Sequence, residues 1–361
     1  MQEGHDIWQW QEPGTAWKGA GLYHVTLTIP SREPLLGTLV IPDQDPKRAY
    51  VKYSDLGRAV LAYQQANAVH YPEIQILHYC LMPDHLHVIW YVRKAMPRGI
   101  QAAVRGFWQG AKKAGRAYSY LSSLPPESDS GKKKKIYEIA ETLRTQIPDA
   151  LYATLPPIFT AMPDINPMGH RDQLPATRQY IDMNPQRLAT KRLKPGFFRV
   201  QDNIVIAGRK YSGVGNTKLL NKFRYAPVHV HSDWVKKAVK GDDKELRDYM
   251  NGCVIAARHG AVIVSPFISE REKEVLIVLL AEGHDIIYIT DNGFRDYYKP
   301  SDGLFDSVEA GHVLILSPWP YDPKKKRVSR DECVAMNGMA EEICDSLSSF
   351  MPESDSGENK K

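Results

Sequence analysis

Two histidines one residue apart, His85 and His87, sit in the run Ile76-Leu-His-Tyr-Cys-Leu-Met-Pro-Asp-His-Leu-His-Val-Ile-Trp90. The apolar and aromatic residues up to Leu81 read as a strand, Met82-Pro83-Asp84 breaks it, and a second strand starts at His85. Residues i and i+2 of a strand share a face, so His85 and His87 project together while Leu86 and Val88 enter a core. Such a pair is either two ordinary polar-face histidines or the start of a divalent-metal site. Two neutral imidazoles and an amide oxygen leave a metal with open positions, from which it polarises a phosphodiester as a Lewis acid. The second chemical segment is Gln179-Tyr180-Ile-Asp-Met-Asn184-Pro185-Gln-Arg187. Residues 177–192 have a helical pattern, in which Tyr180 and Asn184 share a face, with a kink expected at Pro185. Tyr180 is either a half-buried helix tyrosine or a nucleophile. A tyrosine hydroxyl (ordinary pKa near ~10) attacking phosphorus in line gives a phosphotyrosine and a free 3′ hydroxyl.

These residues need a scaffold. Gly21 to Ile29 is rich in β-branched and aromatic residues and reads as a strand, with a shorter one around residues 38–41. Residues 54–69 carry Leu56, Val60, Leu61 and Ala68 on a helical stripe, with Ser54 as N-cap. Residues 99–118 repeat the pattern with Ile100, Val104, Phe107, Trp108 and Ala111; the other face carries Arg98, Arg105, Lys112, Lys113 and Arg116. Residues 121–131 are rich in Ser and Pro and run into Lys132–Lys135, and a near copy ends the chain from Leu347. That composition belongs to solvated linkers. Residues 136–146 read as a helix, 155–175 as a proline-punctuated loop, 197–206 as a strand and 208–216 as a basic, Gly-rich loop.

From about residue 227 the pattern changes to apolar strands alternating with helices: strands at 262–264, 286–288 and 313–316, and a helix from Ser269 with a capping box to Glu272. This indicates a small parallel sheet. Two of its strands end in Ser-Pro at the carboxyl edge, where open α/β sheets hold ligands. The expected fold class is α+β: an antiparallel-sheet domain over 18–226, with an insert at about 121–170, then an α/β domain over 227–347, flanked by tails at 1–17 and 348–361.

The chain has 361 residues, is 43% hydrophobic and 25% charged, and carries a net charge of +5. It can bury two ordinary cores, and its mild positive charge suits a polyanionic partner. The four cysteines form no Cys-x-x-Cys pair, which argues against a cysteine zinc site or a disulfide framework. The polar first residues offer no secretory signal and no apolar run approaches the ~18 residues of a membrane span. A soluble, cytoplasmic protein is expected.

Leu81-Met-Pro-Asp-His-Leu-His-Val-Ile89 followed by Tyr180-Ile-Asp-Met-Asn-Pro-Gln-Arg187 resembles the IS200/IS605-type single-tyrosine HUH transposases, nearest to the branch associated with repetitive extragenic palindromes. The strand Tyr23-His-Val-Thr-Leu-Thr28 fits the same family, and the resemblance covers about residues 18–225. It implies a ferredoxin-like sheet, Mg²⁺ or Mn²⁺ held by His85 and His87, Tyr180 as nucleophile and Asn184 as third ligand. Many insertion-sequence members have glutamine at that last position, and His170 is a rival. The implied partner is single-stranded or hairpin DNA, handled by a monomer or homodimer away from membranes. Arg105, Lys112, Lys113 and Arg116 would meet phosphates, with Trp108 and Tyr118 available for base stacking. Arg187, Lys191, Arg192, Lys194, Arg209 and Lys210 form a second basic group. More weakly, Gly260 to Pro266 and Gly311 to Pro318 resemble the Rossmann-like domain of the DNA-processing (DprA) and LOG-like proteins, without their Gly-rich phosphate loop.

Three functions compete. The first is a metal-dependent nickase and strand transferase that needs no ATP, because the phosphotyrosine stores the bond energy. The second is a hairpin-DNA-binding protein whose catalysis has lapsed. The third is a metal phosphoesterase using water. A covalent protein–DNA adduct separates the first from the others.

Overall fold

The computed structural model describes residues 20–124, 136–169, 172–296 and 298–348. The N-terminal tail at 1–17, most of the Ser/Pro-rich linker and of its C-terminal copy, and His170 lie outside the described residues. The chain divides into two compact units, Met1–Leu193 and Lys194–Lys361.

The first unit contains, in order, β1 (Gly21–Thr28), β2 (Gly37–Val40), β3 (Tyr50–Tyr53), α1 (Asp55–His70), β4 (Ile74–Leu81), β5 (His85–Val92), α2 (Ile100–Ser123), α3 (Ile136–Gln146), α4 (Asp149–Thr154), β6 (Asp164–Pro167), α5 (Gln173–Asp182) and α6 (Asn184–Leu193). Four strands form an antiparallel sheet in the order β4-β5-β1-β6, and β2 pairs with β3 as a separate hairpin. The path β1-α1-β4-β5-α2-β6 with that order is ferredoxin-like. Ser54 caps α1 by accepting from Gly57 N at 3.0 Å. Alternation drives one sheet face inward: Tyr23, Val25 and Leu27 of β1 and Leu86, Val88 and Trp90 of β5 share one core with Val60 of α1, Phe107 of α2 and Leu143 of α3. Burying each such side chain contributes roughly 1.5–3 kcal/mol. Gly57 permits the close approach of α1: a Cβ there would stand 2.1 Å from Leu36 O.

The region expected to be an insert supplies part of this core and one strand of the sheet. Ile136, Ile139, Ala140 and Leu143 of α3 are buried, and β6 pairs with β1 at Tyr23↔Pro167 through Thr26↔Asp164. Its sequence, Asp164-Ile-Asn-Pro167, has one apolar residue, so an edge strand formed by pairing alone leaves no hydrophobic signature. The single helix expected over residues 177–192 is two helices meeting at Met183. The ring of Pro185 collides with the carbonyl four residues earlier in a continuous helix, but fits in the first turn of a new one.

The second unit contains α7 (Pro195–Phe198), β7 (Gln201–Ile206), β8 (Arg209–Gly215), β9 (Tyr225–Pro227), α8 (Ser232–Val239), α9 (Lys244–Arg258), β10 (Val262–Ser265), α10 (Glu270–Glu282), β11 (Ile286–Ile289), α11 (Asp302–Ala310), β12 (Val313–Ser317) and α12 (Arg330–Ser348). Its six-stranded sheet runs β7-β8-β12-β11-β10-β9. Strands β9 to β12 are parallel, as the apolar runs suggest; β8 is antiparallel to β12, and β7 to β8. The sheet is therefore mixed rather than parallel. The boundary also falls at 193/194 rather than 226/227, because the hairpin of β7 and β8 joins this sheet. The expected loop at 208–216 is β8 itself, entered through a tight turn at Ala207 (φ 49°) and Gly208 (φ 75°). The start of the strand expected at 197–206 is α7, where Phe198 stacks on Phe305 at 4.6 Å.

Both faces of this sheet are covered. Ile263, Ile286, Val313 and Ile315 pack with α9, α10 and α11, while Val262, Val264, Ile287, Leu314 and Leu316 pack with Met336, Met339, Ala340 and Ile343 of α12. The parallel strands stand side by side in chain order, so they contain no reversal of the kind that opens a ligand crevice. The Ser-Pro hydroxyls are spent on backbone: Ser265 Oγ donates to Val228 O at 2.7 Å and accepts from Phe267 N, and Ser317 Oγ accepts from Trp319 N. Among the described residues no helix is long and apolar enough to cross a membrane.

Candidate active site

The site lies on the sheet face of the first unit that is turned away from α1 and α2. The antiparallel ladder aligns Thr28 with His85, Thr26 with His87 and His24 with Ile89; on the other side of β5, Cys80 aligns with His87. Residues opposite one another share a face, so β1 and β5 present His24, Thr26, His85 and His87 together while Leu86 and Val88 go to the core. The ring centroids of His85 and His87 are 4.7 Å apart at an interplanar angle of 84°. The His85 side chain is 19% exposed and His87 is 6% exposed, so the pair is partly sheltered rather than sunk in the apolar core.

A small second core brings the tyrosine to this pair. Leu22, Ile89, Met168 and Ile181 are buried together, with Cys80, Tyr91, Leu174 and Tyr180 packed around them. These contacts lay α5 across the sheet and set the Tyr180 ring 5.7 Å from the His87 ring. At the end of α5, Asp182 Oδ1 lies 2.6 Å from His78 Nε2 of β4. Asn184, buried at 7% exposure, is the first residue of α6.

Hydrogen bonds orient both imidazoles. His85 Nδ1 meets Asp84 Oδ1 at 2.6 Å, and Asp84 Oδ2 accepts from Arg32 at 3.1 Å. Burial pushes the Asp84 carboxyl up, but its hydrogen bonds and charge contacts with His85 and Arg32 outweigh that and hold it below the usual carboxylate range. His87 Nδ1 meets His24 Nε2 at 3.0 Å and Thr26 Oγ1 at 3.2 Å. Burial lowers the pKa of His24 and favours its neutral ring. Backbone bonds from Ile29 N to Asp84 O (2.9 Å) and Leu36 N to Pro83 O (2.8 Å) fix the turn before His85.

The sequence pattern brought out His85, His87, Tyr180 and Asn184 but missed His24, Thr26, Asp84, Arg32, His78 and Asp182. The signal for His24 was available: His24-Val-Thr26-Leu-Thr28 alternates polar and apolar as His85-Leu86-His87-Val88 does.

The donor chemistry suits a divalent metal. With both Nδ1 atoms in hydrogen bonds, Nε2 is the nitrogen each ring would offer, the arrangement in which a partner on the far nitrogen sets ligand orientation. Among the described residues no group of three or more His, Cys, Asp or Glu side chains could hold a metal ion. A metal on His85 and His87 therefore needs an amide such as that of Asn184, or non-protein oxygens. Imidazole donors favour Mn²⁺ over Mg²⁺, which prefers an all-oxygen octahedron.

The expected DNA-binding residues do not form one surface. Helix α2 packs on the sheet face opposite His85 and His87. Of its basic residues Arg105 is exposed, while Lys112 Nζ lies 4.5 Å over the Trp108 ring, Lys113 pairs with Glu141 at 3.2 Å and Arg116 lies 4.5 Å over Tyr152. Trp108 donates to Phe159 O at 3.0 Å and Tyr118 is partly buried against the core, so neither ring is an open stacking platform. On α6, Arg187 is 5% exposed, Lys191 is half-buried and Arg192 is exposed. Arg187 is amphipathic enough to bury its stem, and here its head goes in as well. Lys194, Arg209 and Lys210 belong to the second unit, where Lys194 pairs with Glu309 and Arg209 with Glu342, each at 3.3 Å.

No known protein family and no curated protein matches this sequence. Among solved structures, the chain is similar to one described as a REP-associated tyrosine transposase bound to a REP hairpin, at 14% identity and a TM-score of 0.26, over 48% of this chain and 72% of that one.

Proposed function

We propose that the first unit is a metal-dependent single-strand DNA nickase and strand transferase whose nucleophile is Tyr180. The observation that carries this reading is the placement of a helix tyrosine ring 5.7 Å from one member of a histidine pair whose rings are 4.7 Å apart. His85 and His87 hold Mn²⁺ or Mg²⁺, with Asn184 as third protein donor. The ion supplies Lewis-acid polarisation of the scissile phosphate. Asp84 and Arg32 orient His85. Helix α5, held by its apolar contacts and by His78 to Asp182, presents the Tyr180 hydroxyl to the phosphate. The Tyr180 oxygen forms a bond to phosphorus while the bond to the 3′ oxygen breaks, and the phenolic proton ends on that oxygen in the net reaction. The products are a 5′-phosphotyrosine and a free 3′ hydroxyl, and reversal onto a second 3′ end completes strand transfer. The substrate class is single-stranded or hairpin DNA.

The test is incubation of the full chain with end-labelled single-stranded hairpins from the flanks of its own gene, with Mn²⁺, Mg²⁺ or EDTA. Cleavage with either ion, stronger with Mn²⁺, and its loss in EDTA are expected. Equal cleavage in EDTA contradicts a metal-dependent reaction.

A further inference from the structure

We propose that His24 is a positioning residue that fixes the tautomer of His87, so that Nε2 of His87 faces the cation; this rests on the metal reading of the site given above. His24 Nε2 and Thr26 Oγ1 both approach His87 Nδ1, at 3.0 and 3.2 Å. A bare imidazole nitrogen has one in-plane lone pair and takes one good hydrogen bond. Two donors converging on it would compete, whereas one N–H shared between two acceptors is a common three-centre arrangement. The geometry therefore makes His87 the donor at Nδ1, with His24 Nε2 and the Thr26 hydroxyl accepting. A neutral His87 with its proton on Nδ1 carries its lone pair on Nε2, the form a metal requires. The two rings lie with centroids 5.0 Å apart and tilted by 34°, so His24 also limits rotation of His87. His85 is held in the same sense by Asp84 at 2.6 Å. The two ligands are thus oriented by different chemistry, one by a carboxylate and one by a neutral ring.

The test uses the full chain labelled with nitrogen-15 in histidine, without metal, and then Mn²⁺ titration by calorimetry. Wild type should show His87 protonated on Nδ1. His24→Leu should move His87 toward the Nε2-protonated form and weaken Mn²⁺ binding by about 10–100-fold, the usual loss when a metal ligand's hydrogen-bond partner is removed. His24→Gln places an amide oxygen near the former Nε2 position and should restore both the Nδ1 signature and most of the affinity; a merely structural His24 would give no such rescue. His87 protonated on Nε2 in wild type, or equal Mn²⁺ affinity in all three proteins, overturns the proposal. If His24→Leu does not fold, the wild-type tautomer and the His24→Gln titration still decide it. A His24-dependent Nδ1 signature in a wild type that binds no Mn²⁺ supports the hydrogen-bond assignment and overturns the metal site instead.

Discussion

The two sheets of this chain use their faces differently. In the second unit both faces are apolar and both are covered by helices, so Val262, Ile263, Val264, Leu314, Ile315 and Leu316 are all buried at 0% exposure. In the first unit one face is equally dry, but the other carries His24, Thr26, His85 and His87 and is covered only in part by α5. A sheet with two buried faces gains hydrophobic stabilisation on both sides and has little room for polar chemistry. A sheet that leaves one face half-open keeps polar side chains accessible on a rigid platform. Catalytic groups need that combination of fixed backbone and reachable atoms, and it occurs in the unit that carries the histidine pair and Tyr180.

The sharpest way to break this comparison is to substitute neighbours on opposite faces of β5. Leu86→Ala should cost about 2–5 kcal/mol in chemical denaturation of the first unit. His85→Ala, one residue earlier, should cost about 1 kcal/mol, for one hydrogen bond. Equal losses would mean that the two faces are not distinct. In the second unit the polar group that matters is structural. Glu272, 2% exposed, accepts from Val230 N and Ser269 N, both at 2.9 Å. Glu272→Ala should destabilise that unit by about 1–3 kcal/mol for each N–H left unsatisfied and buried, measured in the same denaturation series; an unchanged midpoint contradicts this role.

Smaller effects sharpen the comparison. Arg192 is exposed on α6, whereas Lys113 is engaged by Glu141 behind the sheet. Arg192→Gln should reduce the slope of log affinity for single-stranded DNA against log salt by about 0.7, the loss of one phosphate contact. Lys113→Gln should leave the slope unchanged, and a reversed ranking would place the DNA on α2. The smallest effect is on acid stability in the second unit. Hydrogen bonds from Arg258 and then His284 hold the Glu282 carboxyl down at about 2, against an ordinary 4.5. A depressed carboxylate stabilises the fold above its ordinary pKa, and that contribution fades as pH falls toward about 2. The denaturation midpoint should decline over that window in wild type, and less in Glu282→Gln; parallel curves contradict it.

Much of this was legible in the sequence where a side chain reports its own surroundings. The alternation at His85-Leu86-His87-Val88 announced both the strand and the two faces, and Ser269 with Glu272 announced the start of α10. Elements formed by pairing rather than by their own pattern were not legible. β6 has only Ile165 as an apolar residue, and β8, Arg209 to Gly215, is basic and Gly-rich; each is a strand because a neighbour supplies the hydrogen bonds. Charge on a helix was the least informative signal. Arg105, Lys112, Lys113 and Arg116 looked alike in the sequence, but three of them have partners in the chain that only the tertiary structure reveals. Tyr180 was marked by its spacing to Asn184 within one helix; the structure places them on two helices, and what brings Tyr180 to His87 is the small core around Ile89 and Ile181.

The central claim is that Tyr180, and not water, attacks the phosphate. The direct measurement is denaturing electrophoresis of the full chain with 5′- and 3′-labelled hairpin DNA and Mn²⁺, with mass spectrometry of any covalent product, for wild type and Tyr180→Phe. Wild type should give an adduct mapped to the Tyr180 peptide and a free 3′ hydroxyl. Tyr180→Phe, which removes one oxygen and keeps the ring, should bind the hairpin as before but give neither adduct nor cleavage. If Tyr180→Phe still cleaves and releases a free 5′ phosphate, water is the nucleophile and the role assigned to this tyrosine is wrong.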